Sequence, residues 1–385
     1  MRYGILTGGG DVPGLNTCIK AVVRRTEERG GTVVGFRRGW AGVLNCNPDQ
    51  PEEMAAHVLP LDSATVRTID RRGGTFLHTS RTHPGQVRPE QLPGFLEGRD
   101  DLIEGPNGLD CTAHIRRVLD YLELDALITI GGDGTLSYSA HLHRCGFPVI
   151  SIPKTMDNDV WGTDYCIGFS TAVTRSVDAI QSLRTSTGSH ERIAVVELFG
   201  RNSGETALIA SYLADADRSV IAEVPVNADR LAELVAADRA RNPSNYAMVV
   251  VSEGATLEGD EGNEADDRDV FGQRISHHIG ERLGSALKQR TGIAIVGQNL
   301  GYLMRSGPPD GLDNMVAKSF GTLAVQLLEA GDSGLMTSVI DGNYCTVPAD
   351  RCLEGRKRVD VKALYDAENY VPRIADVHGK PMFLY

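Results

Sequence analysis

Short continuous runs of apolar residues recur along the chain, and longer stretches with apolar positions at helical spacing separate them. Because Val, Ile and Leu follow one another in these runs without polar alternation, the runs are typical of parallel strands buried on both faces. The pattern therefore predicts an α/β protein with two doubly wound, Rossmann-like domains and mostly parallel sheets. The predicted strands cover residues 3–6, 32–36, 126–130, 149–152, 193–198, 247–251 and 293–296, and the predicted helices include 15–28, 115–122 and 171–184.

Length and charge narrow the class of protein. A chain of 385 residues favours two domains. Its 51 acidic and 39 basic side chains, a net charge of −12, argue against a partner that is a nucleic acid or a membrane surface. No apolar run is long enough for a transmembrane helix, and the start lacks a signal-peptide pattern. The seven cysteines are scattered, with no Cys-x-x-Cys pair, so we expect reduced thiols in a cytoplasmic protein.

Three segments interrupt the alternation of strands and helices. Residues 84–107 carry several prolines and many charges, and residues 257–269 are acidic and contain glycine. Both are interpreted as surface insertions, the second as an exposed loop. Residues 374–377 and 382–385 flank a His-Gly pair and are compatible with a C-terminal hairpin.

The first candidate site is a glycine loop directly after the first predicted strand, Gly-Gly-Gly-Asp-Val-Pro-Gly-Leu-Asn from Gly8 to Asn16. Glycines such as Gly9 and Gly10 let backbone amides approach a phosphate, and the following helix N-terminus adds partial positive charge. The loop matches neither the dinucleotide-binding nor the P-loop pattern. A tight turn alone would also account for it.

The second candidate site follows the strand at 126–130 and reads Gly-Gly-Asp-Gly-Thr, with Gly132, Asp133, Gly134 and Thr135. An aspartate between glycines at the carboxyl end of a strand can hold a phosphate-bound Mg²⁺ while the backbone contacts the phosphates. The same pattern also resembles NAD kinases and diacylglycerol kinases.

The third candidate site, Pro-Lys-Thr-Met-Asp-Asn-Asp, follows the strand at 149–152. Asp157 and Asp159 lie two residues apart beside Lys154 and Thr155, a combination suited to activating a hydroxyl group and handling phosphate together. An Asx-rich turn with a solvated lysine is the alternative.

Taken in order, seven segments resemble the 6-phosphofructokinase family over roughly residues 3–330. They are GGGDxPGLN, RRGGT with a later SR, GGDGT, PKTxDND, GTDYxIGF, SHERIAVVELFGR and VSEGA. The resemblance implies transfer of a phosphoryl group to the 1-hydroxyl of fructose 6-phosphate. It also implies a donor domain of residues 1–168 plus about 305–385, a sugar-phosphate domain of residues 169–304, and an active site in the cleft between them.

The resemblance also implies roles for individual residues around the reacting groups. Asp157 would be the general base, Asp159 would support the metal and orient the site, and Thr155 would touch the substrate. Asp133 would bind Mg²⁺. The remaining donor-side residues would be Gly9, Gly10, Arg81, Thr82, Gly132, Gly134, Thr135 and Lys154, with Arg81 bridging the transferring phosphoryl group.

On the sugar side, the resemblance implies that Arg192 grips the 6-phosphate, in this family commonly across a subunit interface. Phe199, Gly200 and Arg201 would form the sugar-contacting turn, and Glu253 would bind sugar hydroxyls. We therefore expect a homodimer or homotetramer that binds fructose 6-phosphate and a nucleotide.

One element departs from the family pattern, in which Leu-Gly-His-x-Gln-Arg-Gly-Gly is usual. Arg305 keeps the phosphate-binding position, but Tyr302 replaces the histidine. Val296 stands where the family has another arginine, and Arg290 is the nearest basic substitute. These two departures leave open whether the sugar phosphate is fructose 6-phosphate or a different one.

Two positions bear on the phosphoryl donor. Gly134 resembles ATP users, because an aspartate there would repel the nucleotide's α-phosphate. Lys154 resembles pyrophosphate users, whose ammonium group stabilises the leaving phosphate. Since lysine does not block ATP whereas aspartate would, we expect ATP as co-substrate, with pyrophosphate as the alternative.

Overall fold

The computed structural model describes residues 1–259, 278–374 and 378 of the chain. These residues form two compact units. The first unit comprises Met1–Thr155, Val160–Gly168 and Gly307–Gly355, and the second comprises the described residues of Met156–Asp159, Phe169–Ser306 and Arg356–Tyr385.

Strands and helices alternate along most of the chain. The strands are β1 Arg2–Thr7, β2 Thr32–Phe36, β3 Val58–Leu61, β4 Ile103–Gly105, β5 Gly108–Asp110, β6 Ala126–Gly131, β7 Val149–Pro153, β8 Ile193–Leu198, β9 Arg218–Val220, β10 Ala247–Ser252, β11 Ile295–Asn299, β12 Leu335–Ile340, β13 Asn343–Pro348, β14 Tyr365–Asp366 and β15 Val371–Pro372. The helices are α1 Leu15–Glu27, α2 Gly39–Leu44, α3 Pro51–Met54, α4 Thr112–Tyr121, α5 Asp133–Arg144, α6 Phe169–Ser189, α7 Glu205–Leu213, α8 Ala228–Arg241, α9 Ile279–Thr291, α10 Gly311–Ala330 and α11 Val361–Leu364.

The first unit is built on a seven-stranded sheet in the order β13-β12-β7-β6-β1-β2-β3. Its five central strands are parallel, and only the edge strands β3 and β13 run antiparallel. Every residue of β6 and β7 is buried, as the continuous apolar runs predict for strands covered on both faces. The strand order places the carboxyl ends of β1, β6 and β7 side by side.

The second unit is built on a four-stranded sheet in the order β11-β8-β10-β9, in which all pairs are parallel. All six residues of β8 and of β10 are buried. The α/β class with mostly parallel sheets, predicted from the apolar runs, is confirmed.

One predicted strand is shifted along the sequence. The apolar run at 293–296 suggested a strand starting at Ile293, but β11 begins at Ile295. The preceding helix ends at Thr291, and its C-cap residue Gly292 is in a left-handed conformation with φ of 71°. The Ile293 amide then donates to the Thr291 hydroxyl, so the chain turns before it can join the sheet.

The interpretation of residues 84–107 as a surface insertion is wrong for part of the segment. Val87 and Leu96 are buried in the same core as Trp40 and Tyr138. Val87 also exchanges two backbone hydrogen bonds with Leu109, both of 2.8 Å. Burial of such side chains stabilises the fold by about 1.5–3 kcal/mol each, so this segment is part of the structural core.

The C-terminal part of the chain also differs from the expected division. The described residues from Arg356 to 374 pack with the second unit, whereas the resemblance implied that residues from about 305 to 385 belong to the first. The Tyr365 hydroxyl donates to the Ser219 carbonyl, and Arg218 donates to the Asn369 carbonyl at 2.6 Å. These bonds attach the segment to β9.

Two predicted segments fall largely on residues that the structure does not describe. They are most of the acidic loop at 257–269 and nearly all of the C-terminal hairpin. Across the described ranges, every helix is too short or too polar to traverse a lipid bilayer.

Candidate functional site

Three of the predicted sequence elements lie at one edge of the first unit's sheet. The glycine loop follows β1, the Gly-Gly-Asp-Gly-Thr segment ends β6 and opens α5, and Lys154 follows β7. Because these three strands are neighbours and parallel, their carboxyl ends bring the three elements together, which is where open α/β sheets bind ligands.

Close packing requires glycine in this edge. A Cβ atom at Gly8 would lie 2.2 Å from the Thr135 hydroxyl, and one at Gly131 would lie 2.3 Å from the Thr135 Cβ. Gly9 adopts a left-handed φ of 78°. The glycine loop thus lies directly against the start of α5. A tight turn alone does not account for this close packing.

Lys154 is buried, with 3% of its surface exposed. Its ammonium group donates to the Gly10 carbonyl oxygen at 2.6 Å, and its own amide donates to Gly131 at 2.9 Å. The alternative of a solvated lysine is therefore wrong. A buried ammonium against the glycine loop places a positive charge in a low-dielectric position, which suits binding of an anion.

Arg81 and Thr82 follow a segment that is bonded to the glycine loop. The Thr79 hydroxyl donates to the Gly9 carbonyl at 2.6 Å, and the Gly9 amide donates to the Ser80 carbonyl at 2.8 Å. Arg81 and Thr82 are both partly exposed, so they are available to a ligand at this edge.

Asp133 is the first residue of α5, and Gly132 is its N-cap. Among residues 1–259, 278–374 and 378, no group of three or more His, Cys, Asp or Glu side chains could hold a metal ion. A single carboxylate still fits Mg²⁺, which is usually bound by one or two carboxylates together with water and substrate phosphates.

Gly134 lies beside this carboxylate and faces open space. No atom lies within 4 Å of the position that its Cβ would occupy. The position that a side chain at residue 134 would take is therefore free of other protein atoms.

The carboxylates of the third element belong to the second unit. The segment Met156–Asp159, here named the carboxylate loop, contains Asn158 in a left-handed conformation with φ of 54°. Asp159 is buried and accepts a hydrogen bond of 3.1 Å from the Asn202 amide group. The Thr206 hydroxyl donates to the Met156 carbonyl at 3.0 Å, so α7 supports the loop.

The pKa of Asp157 is strongly raised by its surroundings. The surrounding protein desolvates it and raises its pKa well above the ordinary value for aspartate, and the neighbouring charges of Asp159 and Glu253 raise it further. A partly exposed carboxyl group with a raised pKa is suited to accepting a proton from a bound hydroxyl group.

Arg201 and Glu253 form an ion pair in the second unit, with 2.8 Å between Nε and Oε1. Burial raises the pKa of Glu253, and Arg201 counteracts this effect. Gly200 has a φ of 137°, and a Cβ there would lie 2.7 Å from the Ser252 hydroxyl. The turn at residues 199–201 and the end of β10 are thus fitted to each other.

Aromatic rings surround the guanidinium group of Arg305. Its Cζ lies 4.6 Å from the centre of the Tyr302 ring and 5.8 Å from that of Phe199. The two rings meet edge to face at 5.8 Å. Tyr302, which stands where the family pattern has histidine, therefore orients a cation.

Arg192 lies apart from the other sugar-side residues of the same chain. It directly precedes β8, whereas Phe199 directly follows it. Six residues of strand separate the two ends by about 20 Å. Val296, which stands where the family has an arginine, pairs with Ala194 near the start of β8 and so also lies far from Phe199. Arg290, the nearest basic substitute, forms an ion pair with Asp229.

Three residues near the carboxylate loop were not among the predicted site residues. Asn202 bonds Asp159, Glu205 accepts from Asn158 at 2.9 Å, and Lys357 bonds Glu205. Asn202 and Glu205 follow the predicted turn closely enough to have been suspected. Lys357 has no local signal, because its partner is 152 residues away.

A parallel sheet that carries a glycine loop, an aspartate at a helix N-terminus and a buried lysine along one edge is typical of α/β proteins that bind phosphate groups. The sequence profile of the family described as Phosphofructokinase matches residues 2–328. The chain belongs to the phosphofructokinase family.

Relatives of this chain carry two different names. It is 36% identical over 374 residues to ATP-dependent 6-phosphofructokinase 3 of Streptomyces coelicolor, covering 96% of this chain and 99% of that protein. It is 35% identical over 370 residues to the pyrophosphate–fructose 6-phosphate 1-phosphotransferase of Dictyoglomus thermophilum, covering 95% and 97%.

Solved structures support the fold. Phosphofructokinase from Saccharomyces cerevisiae matches with a TM-score of 0.74 at 22% identity, covering 92% of this chain and 45% of that chain. A pyrophosphate-dependent phosphofructokinase from Nitrosospira multiformis matches with a TM-score of 0.74 at 16% identity, covering 99% and 95%. The two doubly wound units are therefore those of the phosphofructokinase fold.

Proposed function

We propose that the protein transfers the γ-phosphoryl group of ATP to the 1-hydroxyl of fructose 6-phosphate, giving fructose 1,6-bisphosphate and ADP in the cytoplasm. The observation that carries the choice of ATP is the open space at Gly134, next to Asp133. A nucleotide needs room for its α-phosphate and nucleoside beyond the metal-binding carboxylate, and glycine leaves that room without adding negative charge.

The donor binds at the strand ends of the first unit. The backbone amides of Gly10 and Gly132 contact its phosphates, while Gly9, whose amide bonds the Ser80 carbonyl, shapes the loop and Thr135 supports it. Asp133 would hold Mg²⁺, which neutralises charge on the phosphates when bound. Arg81, with Thr82 beside it, stabilises the charge that develops on the transferring phosphoryl group.

The acceptor binds mainly to residues of the second unit, together with Thr155 of the first. Asp157 takes the proton of the sugar 1-hydroxyl, Thr155 contacts the substrate and Asp159 orients the carboxylate loop. The alkoxide oxygen forms a bond to the γ-phosphorus, the bond from that phosphorus to ADP breaks, and its electron pair stays on ADP. The raised pKa of Asp157 supports its role as general base.

Sugar recognition involves two charged groups and an aromatic turn. Glu253 accepts hydrogen bonds from sugar hydroxyls, with Arg201 and the turn at Phe199 and Gly200 positioning it. Arg305 binds phosphate, and Tyr302 holds its guanidinium group in place.

Arg192 completes a site in a second copy of the chain within a homodimer or homotetramer. Its position, about 20 Å along β8 from Phe199, supports this role because it cannot reach the sugar turn of its own chain.

Pyrophosphate is the second candidate donor. The buried ammonium group of Lys154 at the Gly10 carbonyl favours it, since this cation could stabilise a departing phosphate. Relatives named for ATP and relatives named for pyrophosphate both align along nearly the whole chain.

A coupled assay on the purified protein with fructose 6-phosphate and either ATP or pyrophosphate tests the proposal. We expect kcat/KM with ATP to exceed that with pyrophosphate. A higher kcat/KM with pyrophosphate would show that pyrophosphate, not ATP, is the donor. A protein that is inactive with both donors would refute the proposed reaction.

A further inference from the structure

Residues 356–359, here named the C-terminal strap, lie beyond the part of the chain that matches the family profile. They belong to the second unit, as does the carboxylate loop. No feature of the sequence connected them to the reaction. Their contacts nevertheless converge on the carboxylate loop.

Lys357 makes two kinds of contact. Its ammonium group lies 3.0 Å from both carboxylate oxygens of Glu205. Its backbone amide donates to the Asp159 carbonyl oxygen at 3.0 Å. The side chains are 12% exposed for Lys357 and 1% exposed for Glu205, so the ion pair is shielded from water.

Glu205 connects Lys357 to Asn158, the residue between Asp157 and Asp159. Its Oε1 atom accepts a hydrogen bond of 2.9 Å from the Asn158 amide group. Asn158 holds a left-handed backbone conformation, which most side chains avoid and asparagine tolerates. A fixed Asn158 sets the direction in which Asp157 leaves the backbone.

The strap residues on either side of Lys357 also contact residues near the carboxylate loop. The Arg356 guanidinium donates to the side-chain oxygen Oδ1 of Asn202 at 2.5 Å, and the side-chain amide nitrogen of Asn202 donates to Asp159. The Val359 amide donates to Glu223 at 3.0 Å, and Glu223 also accepts from the Gly204 amide. The strap thus holds both the carboxylate loop and the start of α7.

Electrostatics explains why the strap is basic. Glu205 is fully buried and Asp159 nearly so, and a buried carboxylate is stable only with a cation or several hydrogen bonds. Desolvation raises the pKa of Glu205 to about 7, and Lys357 and Asn158 oppose that shift. Removing the lysine would therefore leave a carboxylate that is poorly compensated beside the loop.

We propose that Lys357, acting through Glu205 and Asn158, is a positioning residue that holds Asp157 in the geometry needed for proton abstraction. This inference rests on the proposed role of Asp157 as the base. Lys357 does not touch the reacting atoms, so its effect is on the rate of the chemical step and not on the binding of either substrate.

The kinetic test compares Lys357→Met with Lys357→Arg and with Lys362→Met, a control that removes an exposed lysine from the same part of the chain. We expect Lys357→Met to lower kcat about 100-fold, the size of effect that a displacement of about 1 Å can produce. The KM for fructose 6-phosphate should change less than about threefold. Lys357→Arg should recover much of kcat, and Lys362→Met should match the wild type.

A lysine that served only to stabilise the fold would lower the melting temperature of Lys357→Met but leave kcat unchanged in the folded protein. That result would overturn the inference. Where Lys357→Met does not fold, the double variant Glu205→Gln/Lys357→Met removes both buried charges, and the same loss of kcat is expected from it.

Hydrogen exchange gives a readout that does not depend on activity. Amides at 156–160 should exchange at least about tenfold faster in Lys357→Met than in the wild type, and Lys362→Met should leave them unchanged. Unchanged exchange in Lys357→Met would overturn the positioning role. If the wild type were inactive with both ATP and pyrophosphate, the proposed reaction would be refuted. Hydrogen exchange would still show whether Lys357 holds the carboxylate loop in place.

Discussion

The ammonium group of Lys154 donates a hydrogen bond of 2.6 Å to the carbonyl oxygen of Gly10. This bond links the residue after β7 to the glycine loop after β1, with β6 between the two strands. A cation is thereby held at the backbone that is proposed to contact the donor phosphates. The bond also fixes where the charge of Lys154 acts.

Lys154→Met should weaken pyrophosphate binding more than ATP binding. Loss of a charge-assisted interaction in a buried site costs about 1.5–3 kcal/mol, so we expect the Kd for pyrophosphate to rise between about 10-fold and 100-fold. The nucleotide makes further contacts, so its Kd should rise less than about 10-fold. Calorimetry with each ligand measures both.

The matched control is Lys318→Met, which removes an exposed lysine of the first unit. Equal losses for pyrophosphate and ATP in Lys154→Met would show that Lys154 does not discriminate between the donors.

Gly134→Asp should lower kcat/KM for ATP at least about 100-fold. The new carboxylate enters space that is open now, so the fold is expected to persist while like charges repel the nucleotide phosphate. Gly134→Ala is the control, because its methyl group also enters open space without charge. Steady-state kinetics with ATP measures the effect, and unaltered ATP kinetics in Gly134→Asp would refute the proposed reason for donor choice.

Asp157→Asn should lower kcat between about 100-fold and 10,000-fold, the usual range for loss of a general base. Amide and carboxyl groups are similar in size, so binding of the donor should change little. The control is Asp178→Asn, at an exposed aspartate on α6 of the same unit. An Asp157→Asn protein with full turnover would assign the base to another group.

Tyr302→Ala should raise the KM for fructose 6-phosphate about two- to fivefold, because the ring centre lies 4.6 Å from the Arg305 guanidinium carbon and such exposed cation–π contacts contribute about 0.5–1 kcal/mol. Tyr302→Phe keeps the ring and should behave as the wild type. If Tyr302→Phe is as impaired as Tyr302→Ala, the hydroxyl group and not the ring is what matters.

His114 should make the protein sensitive to acid. It is fully buried, and its Nε2 lies 3.1 Å from the Leu44 carbonyl oxygen. Burial lowers its pKa to about 4, below the value of about 6.5 expected when unfolded. The folded state therefore binds fewer protons between these values, so stability is present above pH 6.5 and is lost as pH falls towards 4.

Urea unfolding of wild type and His114→Gln at pH 7.5 and pH 5 tests this sensitivity. Glutamine does not titrate, so the stability advantage of the wild type over the variant should shrink by about 2 kcal/mol at the lower pH. An advantage that is the same at both pH values would mean that the pKa of His114 is not lowered.

Elements with a strong local pattern were predictable. The mostly apolar runs identified β2 and β8 to the residue, because strands covered on both faces do not alternate regularly between polar and apolar residues. The candidate residues of the first unit were also identifiable, since glycine loops and carboxylates after parallel strands must meet at one sheet edge. Segment 84–107 was misjudged because Val87 and Leu96 are isolated among prolines and charges, with no periodicity to show their burial.

By itself, the sequence determined the α/β class, most strand positions and the motifs that identify the family, because these depend on periodicity and on residues close together in the chain. Tertiary structure alone decided that Lys154 is buried against Gly10 and that the strap reaches the carboxylate loop. The partners Lys357 and Glu205 are 152 residues apart. An ion pair over such a distance follows from how the chain packs, since neither residue has a local pattern that requires the other.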